Sequence, residues 1–318
     1  MSSENIIIKS NEGTDPRYGK KPSERTVEEL LDLGFVIIDK PCGPSSHEVS
    51  SWVKKLLKIK KTGHTGTLDP NVSGVLPVAL NRATKSVGFL LKSTKEYVGI
   101  MQFHKPVTPE KVKELFRQFT GEIQQTPPLR SAVRKVQRKR KVYYLDALEF
   151  YNQNVLFHVV CEAGTYIRKL CHDIGKISKL GAHMLELRRI KVSKISEDKS
   201  IKLQDLSDVY WAWQEKKNDE LAKHIVPIES LLNLKRIWVK DSAVEAVCSG
   251  AALAVPGIAK FEENMAKDEE IAILSLKGEL VAFAKTMLSS KEIAENKNGM
   301  AAKPMRVVME KGTYPKCW

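Results

Sequence analysis

The chain has few cysteines, no CxxC pair and no long apolar segment. Its five cysteines, Cys42, Cys161, Cys171, Cys248 and Cys317, are odd in number and widely separated, so neither a disulfide framework nor a zinc site is supported. No run of about 18 apolar residues occurs, which excludes a predicted membrane-spanning helix. The first residues, MSSENIIIKSNEG, lack the basic and apolar regions of a signal peptide. The sequence therefore predicts a reduced, cytoplasmic protein without a metal centre.

Acidic residues are scarce relative to basic ones. The 318 residues include 52 Lys and Arg against 38 Asp and Glu, a net charge of +14. From Arg236 onward the counts are 12 and 11, so the first 235 residues carry nearly all of the excess. A basic surplus favours a polyanionic partner, because neutralised phosphates release counterions. We expect that partner to bind mainly to the N-terminal part of the chain.

Residues 35–235 show alternating strand and helix signals. FVIIDK and KEYVGIMQF are typical of buried strands, and SSHEVSSWVKKLL has the Ser45–Glu48 spacing of a capping box. Thr108 and Pro109 predict the start of another helix, which Gly121 is expected to end. NVLFHVVCEAG predicts a strand and YIRKLCHDIGKI a helix. We place His172 and His183 in helical stretches, where local hydrogen bonds explain them.

The last 83 residues have a different character. RIWVKD, IAILSLKGELVAFAK and MRVVME are short strand signals separated by turns, and SAVEAVCSG is a short helix signal. The fold class predicted for the chain is α+β, with a catalytic domain at 35–235 and a small β-rich domain at 236–318. Residues 1–34 are polar and are interpreted as an N-terminal extension that packs on the small domain.

One segment, GHTGTLDP at 63–70, combines small residues with a single acid, Asp69. Asp-Pro pairs often serve only turn geometry. Here, however, glycines and threonines surround the acid with little side-chain bulk. Such a loop would allow a large flat ligand to reach the carboxylate.

Several motifs, in a fixed order, resemble one enzyme family. GHTGTLDPNVSGVLPVALNRATK resembles the catalytic motif of the TruB-type pseudouridine synthases. YGKKPSERTVEELLDLGFVIIDKPCGPSSHEV, TPPLRSAVRKVQRKRKVYYL, CEAGTYIRKLCHDIG and GAHMLELRR are similar to the archaeal dyskerin group, and the tail resembles a PUA RNA-binding domain. The resemblance implies a catalytic domain with a mixed, mainly antiparallel sheet flanked by helices.

The resemblance also implies roles for individual residues. Asp69, Arg168 and Tyr97 correspond to the catalytic aspartate, the arginine that pairs with it, and the tyrosine that stacks on the target base. The residues that correspond to substrate-binding positions are Lys40, His64, Tyr166 and Leu187. We expect Arg168 to hold Asp69 in its charged form, against the opposing effect of a dry pocket.

The implied reaction is consistent with these residue types. Converting uridine to pseudouridine breaks the N1–C1′ bond, turns the uracil and joins C5 to C1′. Substrate and product have the same formula, so no cofactor is expected. An ionised aspartate is a suitable nucleophile; the sequence leaves open whether it attacks ribose C1′ or uracil C6.

A basic run, RSAVRKVQRKRK at 130–141, contains seven cations and no acid. A solvated face would explain three or four of them. The full set predicts a track that contacts RNA phosphates without reading sequence. Its members are Arg130, Arg134, Lys135, Arg138, Lys139, Arg140 and Lys141.

Three functions are compared on these features. The favoured one is RNA-guided modification of rRNA, with tRNA as an additional substrate, as the catalytic subunit of a box H/ACA ribonucleoprotein. The resemblance then implies a guide RNA and Nop10-like, Gar1-like and L7Ae-like protein partners. The alternatives are a stand-alone tRNA pseudouridine-55 synthase and a non-catalytic RNA-binding scaffold. The short connection between KEYVGIMQF and the next helix leaves little room for the stem-loop-binding insertion of a stand-alone enzyme.

Overall fold

The computed structural model describes residues 5–127, 134–216 and 218–316. The chain divides into two compact units. The small-sheet unit contains the chain up to Phe35, Ala79–Ser86, and the chain from Ile225 onward. The large-sheet unit contains Val36–Val78 and Val87–His224. None of the helices in the described ranges is long and apolar enough to cross a membrane.

The α-helices of the described residues are α1 Val27–Leu33, α2 Ser46–Leu56, α3 Val87–Leu90, α4 Pro109–Gln118, α5 Ile167–Ser178, α6 Leu203–Gln214, α7 Asp241–Cys248 and α8 Ser290–Glu295. The strands are β1 Ile6–Ile8, β2 Gly34–Lys40, β3 Thr62–His64, β4 Val72–Leu80, β5 Lys95–Phe103, β6 Gly121–Gln125, β7 Arg138–Tyr151, β8 Asn154–Cys161, β9 Ala182–Val192, β10 Ile195–Ser196, β11 Ile225–Pro227, β12 Lys235–Val239, β13 Leu253–Ala254, β14 Ile258–Glu262, β15 Glu270–Ser275, β16 Leu280–Thr286 and β17 Met300–Val307.

The large-sheet unit is built on a mixed sheet. Its strand order is β2-β4-β9-β5-β8-β7-β6, with β3 beside β4 and β10 beside β9. β4 and β9 run parallel, whereas β9, β5, β8, β7 and β6 pair antiparallel with one another in that order. Helices α4 and α5 contribute to the same buried core as the inward residues of β5, β8 and β9. The predicted α+β class, with a mixed and mainly antiparallel sheet, is confirmed.

Two helix starts in this unit follow the chemistry visible in the sequence. The Ser45 side chain accepts from the Glu48 amide and the Glu48 carboxylate accepts from the Ser45 amide, which forms the capping box of α2. Thr108 caps α4 with its side chain alone, which accepts from the Lys111 amide at 3.3 Å, and Pro109 occupies the first position of the helix. The predicted end of α4 is wrong by a few residues, because the helix ends at Gln118. Gly121, at φ +105°, instead begins β6.

The prediction that His183 lies in a helical stretch is wrong, because His183 lies on β9. Helix α5 ends at Ser178, where Lys179 adopts a left-handed conformation. Ala182–Val192 then enters the sheet between β4 and β5. Apolar packing and strand pairing on both sides override the weak local helix signal of this segment.

The small-sheet unit contains a second sheet, ordered β1-β14-β12-β15-β16-β17-β13. β1 pairs antiparallel with β14 through Ile6–Ile8. Buried carboxylates bind the N-terminal segment: Glu229 accepts two bonds of 2.8 Å from Arg25, and Glu279 accepts from the Lys20 amide at 3.0 Å. In the described residues before Phe35, Ile6–Ile8, Lys20 and Arg25 are therefore bound to the tail of the chain.

Candidate active site

Asp69 lies on the loop between β3 and β4, and this loop is held by backbone contacts. The Leu68 amide donates to Ser46 Oγ at 2.8 Å, and the same hydroxyl donates to the Leu68 carbonyl at 2.9 Å. The amide of Val72 donates to the Asp69 carbonyl at 3.0 Å. Leu68 and Val72 are both buried. The loop is thus fixed on both sides of the acid, whose own side chain stays about half exposed.

Arg168 donates to the carboxylate of Asp69, which forms an ion pair. Arg168 is the second residue of α5, whose inner face buries Ile167, Leu170 and Ile174. The guanidinium is also about half exposed. A packed helix therefore presents a charged donor to the only acid of the loop, in an opening that solvent still reaches.

Tyr97 lies on β5, within the buried core that also contains Leu68, Val72 and Leu187. Arg189 of β9 lies directly opposite it, in register across the two strands. Burial raises the pKa of Tyr97, and the nearby guanidinium of Arg189 acts in the opposite direction. The phenol is neutral at neutral pH and sits against a fixed positive charge.

Leu187 belongs to the same face of β9 as Arg189, because side chains two residues apart in a strand share a face. It pairs with Gly99 on β5 and Val72 on β4. A Cβ at Gly99 would lie 2.8 Å from Leu187 Cδ1. The missing side chain at Gly99 therefore leaves the space that Leu187 fills, beside Tyr97.

Lys40 is fully buried, and its ammonium group faces the protein backbone. It donates to the carbonyls of Pro41 at 2.8 Å, Pro70 at 3.2 Å and Val72 at 2.9 Å. Burial lowers the pKa of Lys40, and the Asp69 carboxylate is one of two groups that oppose this shift. Since Pro70 directly follows Asp69, these bonds make Lys40 a buried support for the Asp69 loop.

His64 lies at the end of β3, near the start of the same loop. Its Nε2 is 3.3 Å from Thr67 Oγ1, and its ring packs edge-to-face against His47 with centroids 4.8 Å apart. Burial lowers the pKa of His64, and the neighbouring His47 lowers it further. The ring is therefore neutral near pH 7.

Tyr166 immediately precedes α5 and is held through its backbone. Its amide donates to Gln125 Oε1 at 3.0 Å, and its carbonyl accepts from Gln125 Nε2 at 3.2 Å. Together with Pro127, Arg138, Arg140 and Gly164, these two residues line a cavity of about 90 Å³. The position next to Ile167 places Tyr166 two residues from Arg168.

The basic run is only partly described. Arg130 lies outside the described residues, Arg134 and Lys135 are outside the strands, and the other four cations begin β7. Lys139 pairs with Glu122 at 2.8 Å, and Arg140 donates to the Gly164 carbonyl at 3.2 Å. Two of the residues predicted to contact phosphates, Lys139 and Arg140, thus pair with neighbouring groups of the protein.

Two further residues of the site were missed in the sequence. Arg189, the second arginine of ELRR, is buried, donates to the Gly66 carbonyl of the Asp69 loop and lies opposite Tyr97. Lys95, two residues before Tyr97, is buried beside Arg189, and burial lowers its pKa to about 8. Period-two spacing from Leu187 and from Tyr97 would have indicated both, had ELRR been interpreted as part of a strand.

In the part of the chain that the structure describes, no group of three or more His, Cys, Asp or Glu residues is arranged to hold a metal ion. The groups brought together at the loop are one carboxylate, one surface arginine, a buried phenol and a buried guanidinium. This set supports nucleophilic and proton-transfer chemistry.

Family models match most of the chain. A model of the TruB family pseudouridylate synthase N-terminal domain matches residues 54–108 and 104–167, and the tRNA pseudouridylate synthase B C-terminal domain matches 168–233. A PUA domain model matches 235–308, and a DKCLD domain model matches 1–50.

Curated relatives are similar over the full length. The chain is 48% identical over 320 residues to a "Probable tRNA pseudouridine synthase B" of Archaeoglobus fulgidus, covering 100% of this chain and 98% of the relative. It is 49% identical to the protein of the same name from Methanosarcina barkeri, covering 98% and 93% of the two chains.

Solved structures show the same fold. A chain of "Crystal Structure of a Cbf5-Nop10-Gar1 Complex" superposes with a TM-score of 0.93 at 46% identity, covering 99% of this chain and 97% of that one. A chain of "Structure of H/ACA RNP bound to a substrate RNA containing 2'-deoxyuridine" gives 0.92 at 45% identity, with coverage of 99% and 97%. The chain belongs to the dyskerin-type branch of the TruB family and is a pseudouridine synthase with a PUA domain.

Proposed function

We propose that this pseudouridine synthase is the catalytic subunit of a box H/ACA ribonucleoprotein. It isomerises guide-selected uridines in rRNA, with tRNA as an additional substrate. The observation that carries the proposal is the Asp69–Arg168 ion pair on a rigid loop beside buried Tyr97.

In this proposal Asp69 is the nucleophile that opens the reaction. Arg168 orients the carboxylate by donating to it. Attack at ribose C1′ or at uracil C6 remains compatible with these positions. After N1–C1′ cleavage and C5–C1′ bond formation, the proton on C5 is removed by a base, for which we propose Tyr97.

The target base must leave its helical stack to reach Asp69, at a cost of a few kcal/mol. Stacking on an aromatic ring returns about 1–3 kcal/mol. Tyr97 supplies that ring, Leu187 an apolar wall, and Tyr166 a further contact at the start of α5. Lys40 supports the loop and His64 lies where it could contact the flipped nucleotide.

The guided mode of action is supported by whole-chain similarity. Solved relatives that cover 99% of this chain carry titles that name Nop10, Gar1 and a substrate-bound H/ACA ribonucleoprotein. β5 ends at Phe103 and α4 begins at Pro109, so the connection is short. In the proposal residues 1–34 form an extension, 35–235 the catalytic domain and 236–318 a PUA domain that binds guide RNA.

The proposed partners are a box H/ACA guide RNA, the target rRNA, and Nop10-like and Gar1-like proteins. An L7Ae-like protein rests on the family resemblance alone. The basic track of β7 contacts RNA phosphates, since Arg138 and Lys141 are exposed on the strand.

A second candidate is a stand-alone tRNA pseudouridine-55 synthase, which is favoured by relatives named tRNA pseudouridine synthase B. The two functions differ in their need for a guide. A non-catalytic scaffold is disfavoured, because it would have no use for a fixed carboxylate–guanidinium pair beside a buried phenol.

Tritium release from RNA carrying 5-tritiated uridine tests the proposal. The purified chain is assayed alone, and then with guide RNA and Nop10-like, Gar1-like and L7Ae-like proteins, beside Asp69→Ala. Release in the assembled mixture only, lost in Asp69→Ala, is the expected result. Release by the chain alone on tRNA would favour the stand-alone enzyme. Release by Asp69→Ala would overturn the nucleophile assignment.

A further inference from the structure

Arg189 occupies the centre of the site but is enclosed by protein. It is 1% exposed and lies on β9 between its two neighbours in the sheet. On one side it pairs in register with Gly74 of β4, and on the other with Tyr97 of β5. A Cβ at Gly74 would lie 2.2 Å from the Arg189 carbonyl oxygen. The backbone of Arg189 is therefore packed directly against β4.

The guanidinium joins three parts of the site. Its Nε donates to the Val75 carbonyl at 2.8 Å, and an Nη donates to the Gly66 carbonyl at 3.1 Å. Gly66 lies on the loop that carries Asp69. Tyr97 lies in register with Arg189 on the neighbouring strand β5, and the charge of the guanidinium favours the ionised form of its phenol.

The charge of Arg189 has no carboxylate partner. Within residues 5–127, 134–216 and 218–316, Tyr97 and Cys161 are the groups that favour its charged form, and no Asp or Glu pairs with it. A second buried cation, Lys95, lies close enough to feel its repulsion. A buried unpaired charge is destabilising. A negative charge that forms on the Tyr97 phenol during the reaction would give Arg189 a partner, and this would account for the buried positive charge.

We propose that Arg189 is a positioning residue for the pseudouridine synthase reaction. It fixes the Asp69 loop through Gly66 and provides the positive charge that stabilises the phenolate of Tyr97. This inference rests on the proposed role of Tyr97 as the base.

The step that needs the phenolate is the loss of the C5 proton. After the C5–C1′ bond forms, C5 carries both the ribose and a hydrogen. The C5–H electron pair forms the C5–C6 double bond, the C5 proton passes to the phenolate oxygen, and N1, which has been released from C1′, takes up a proton from solvent. The resulting phenol returns its proton to solvent. Nothing is oxidised or reduced.

The charged and titratable groups that act on Tyr97 come from several elements. Arg189 of β9 favours the phenolate, whereas Cys161 of β8 and Asp69 of the loop oppose it, as burial does. Removing the guanidinium leaves burial and the two opposing groups. The phenolate then forms only at higher pH.

Arg189→Gln and Arg189→Lys are compared with Arg188→Gln. Arg188 is the matched control because it lies next to Arg189 on β9 and pairs instead with Asp39 at 2.9 Å and Glu197 at 2.8 Å. Tritium release is measured from about pH 6 to pH 10 in whichever RNA–protein mixture supports turnover. The expected result for Arg189→Gln is a loss of about 100-fold in kcat near pH 7, with KM little changed, and a rate that rises only at higher pH.

A rescue experiment separates a charge effect from a structural one. A fluorinated tyrosine at position 97 has a more acidic phenol, so it should recover part of the lost rate in Arg189→Gln, and Arg189→Lys, which keeps a positive charge, should lose less rate than Arg189→Gln. Loss of rate in Arg189→Gln without rescue by the fluorinated tyrosine would show that Arg189 is structural only. If neither Arg189 variant folds, the fluorinated tyrosine in the otherwise unchanged chain decides: the rate must rise at lower pH than in the parent, and an unmoved profile overturns the inference.

The outcomes distinguish this inference from the proposed function. Turnover without guide RNA would overturn the proposed guided mode of action, but the pH profiles of the Arg189 variants would still test the role of Arg189. Activity in Asp69→Ala would overturn the nucleophile, whereas an unchanged rate in folded Arg189→Gln would overturn only the role of Arg189.

Discussion

Arg168 donates to the carboxylate of Asp69 although the two residues are 99 positions apart in the chain. The contact joins the loop before β4 to the first turn of α5. Both side chains are about half exposed, so the pair contributes little to folding stability, as surface ion pairs generally do. Its value lies in orienting a nucleophile, which can be tested separately from stability.

Arg168→Lys should lower the rate constant for tritium release by about 100-fold or more, which is typical of losing one oriented charged donor. Lysine keeps the charge but loses the planar fork that fixes the carboxylate. Lys169→Gln is the control, since Lys169 follows directly and pairs with Asp173 on the same helix. Full activity of Arg168→Lys would contradict the positioning role.

Lys40→Met should destabilise the large-sheet unit by about 1–3 kcal/mol, because the carbonyls of Pro41, Pro70 and Val72 would lose their donor. Removal of a buried charge offsets part of this cost. Urea unfolding beside Lys54→Met, an exposed substitution on α2, measures the difference. Equal unfolding midpoints for the two variants would show that Lys40 does not support the loop.

Much of the fold could be predicted from local sequence chemistry. Capping at Ser45 and Thr108 depends on nearby residues, and both helix starts were predicted correctly. The course of β9 depends instead on pairing with residues of β4 and β5 that lie 79 to 115 positions earlier in the chain. A helix through ELRR would point Leu187 and Arg189 in different directions, so a helical interpretation hides Arg189.

Family resemblance supplied the residues of the site, but not how they are held. It gave Lys40 as a residue that borders the pocket, whereas the structure shows its ammonium donating to three carbonyls of the backbone. Contacts of this kind depend on where distant carbonyls lie in the folded chain. They are not encoded in the spacing of residues around Lys40.

Gly74→Ala should be much more destabilising than Gly121→Ala. The two glycines have nearly the same backbone angle, φ +104° and +105°, so both substitutions carry strain of about 1–3 kcal/mol. Only at Gly74 would the new Cβ collide with backbone, 2.2 Å from the Arg189 carbonyl oxygen, whereas nothing lies within 4 Å at Gly121. Thermal unfolding of both variants gives the difference. Similar losses at the two positions would argue against close packing of β4 on β9.

Replacing Arg138 and Lys141 together by Gln should reduce the salt dependence of RNA binding. Each lost phosphate contact lowers the slope of log K against log salt by about 0.7–0.9. Binding of guide RNA is measured at several salt concentrations, beside the double variant Lys111→Gln/Lys113→Gln on exposed positions of α4. A slope reduced equally by both double variants would mean that net charge, rather than the β7 track, determines binding.

Lys95→Met should remove a pH-dependent part of the folding stability in alkaline solution. Lys95 is buried, and burial, with some repulsion from Arg189, lowers its pKa from 10.5 to about 8 in the folded protein. The unfolded chain therefore binds more protons than the folded one between about pH 8 and pH 10.5, and the contribution of Lys95 to stability rises with pH across that window. Below pH 8 the buried ammonium is charged in the folded protein, and its unfavourable effect on folding stability is largest.

The free energy of unfolding is measured for the parent and for Lys95→Met at pH 7, 8, 9 and 10. Between about pH 8 and pH 10.5 the free energy of unfolding of the parent should rise by roughly 3 kcal/mol relative to that of the variant, at 1.36 kcal/mol per pKa unit. Other groups titrate in both proteins and cancel in the difference, and Lys113→Met on α4 controls for loss of an exposed lysine. A difference that stays constant from pH 7 to 10 would show that Lys95 keeps an ordinary pKa. The ammonium would then be better solvated than its burial beneath the Asp69 loop indicates.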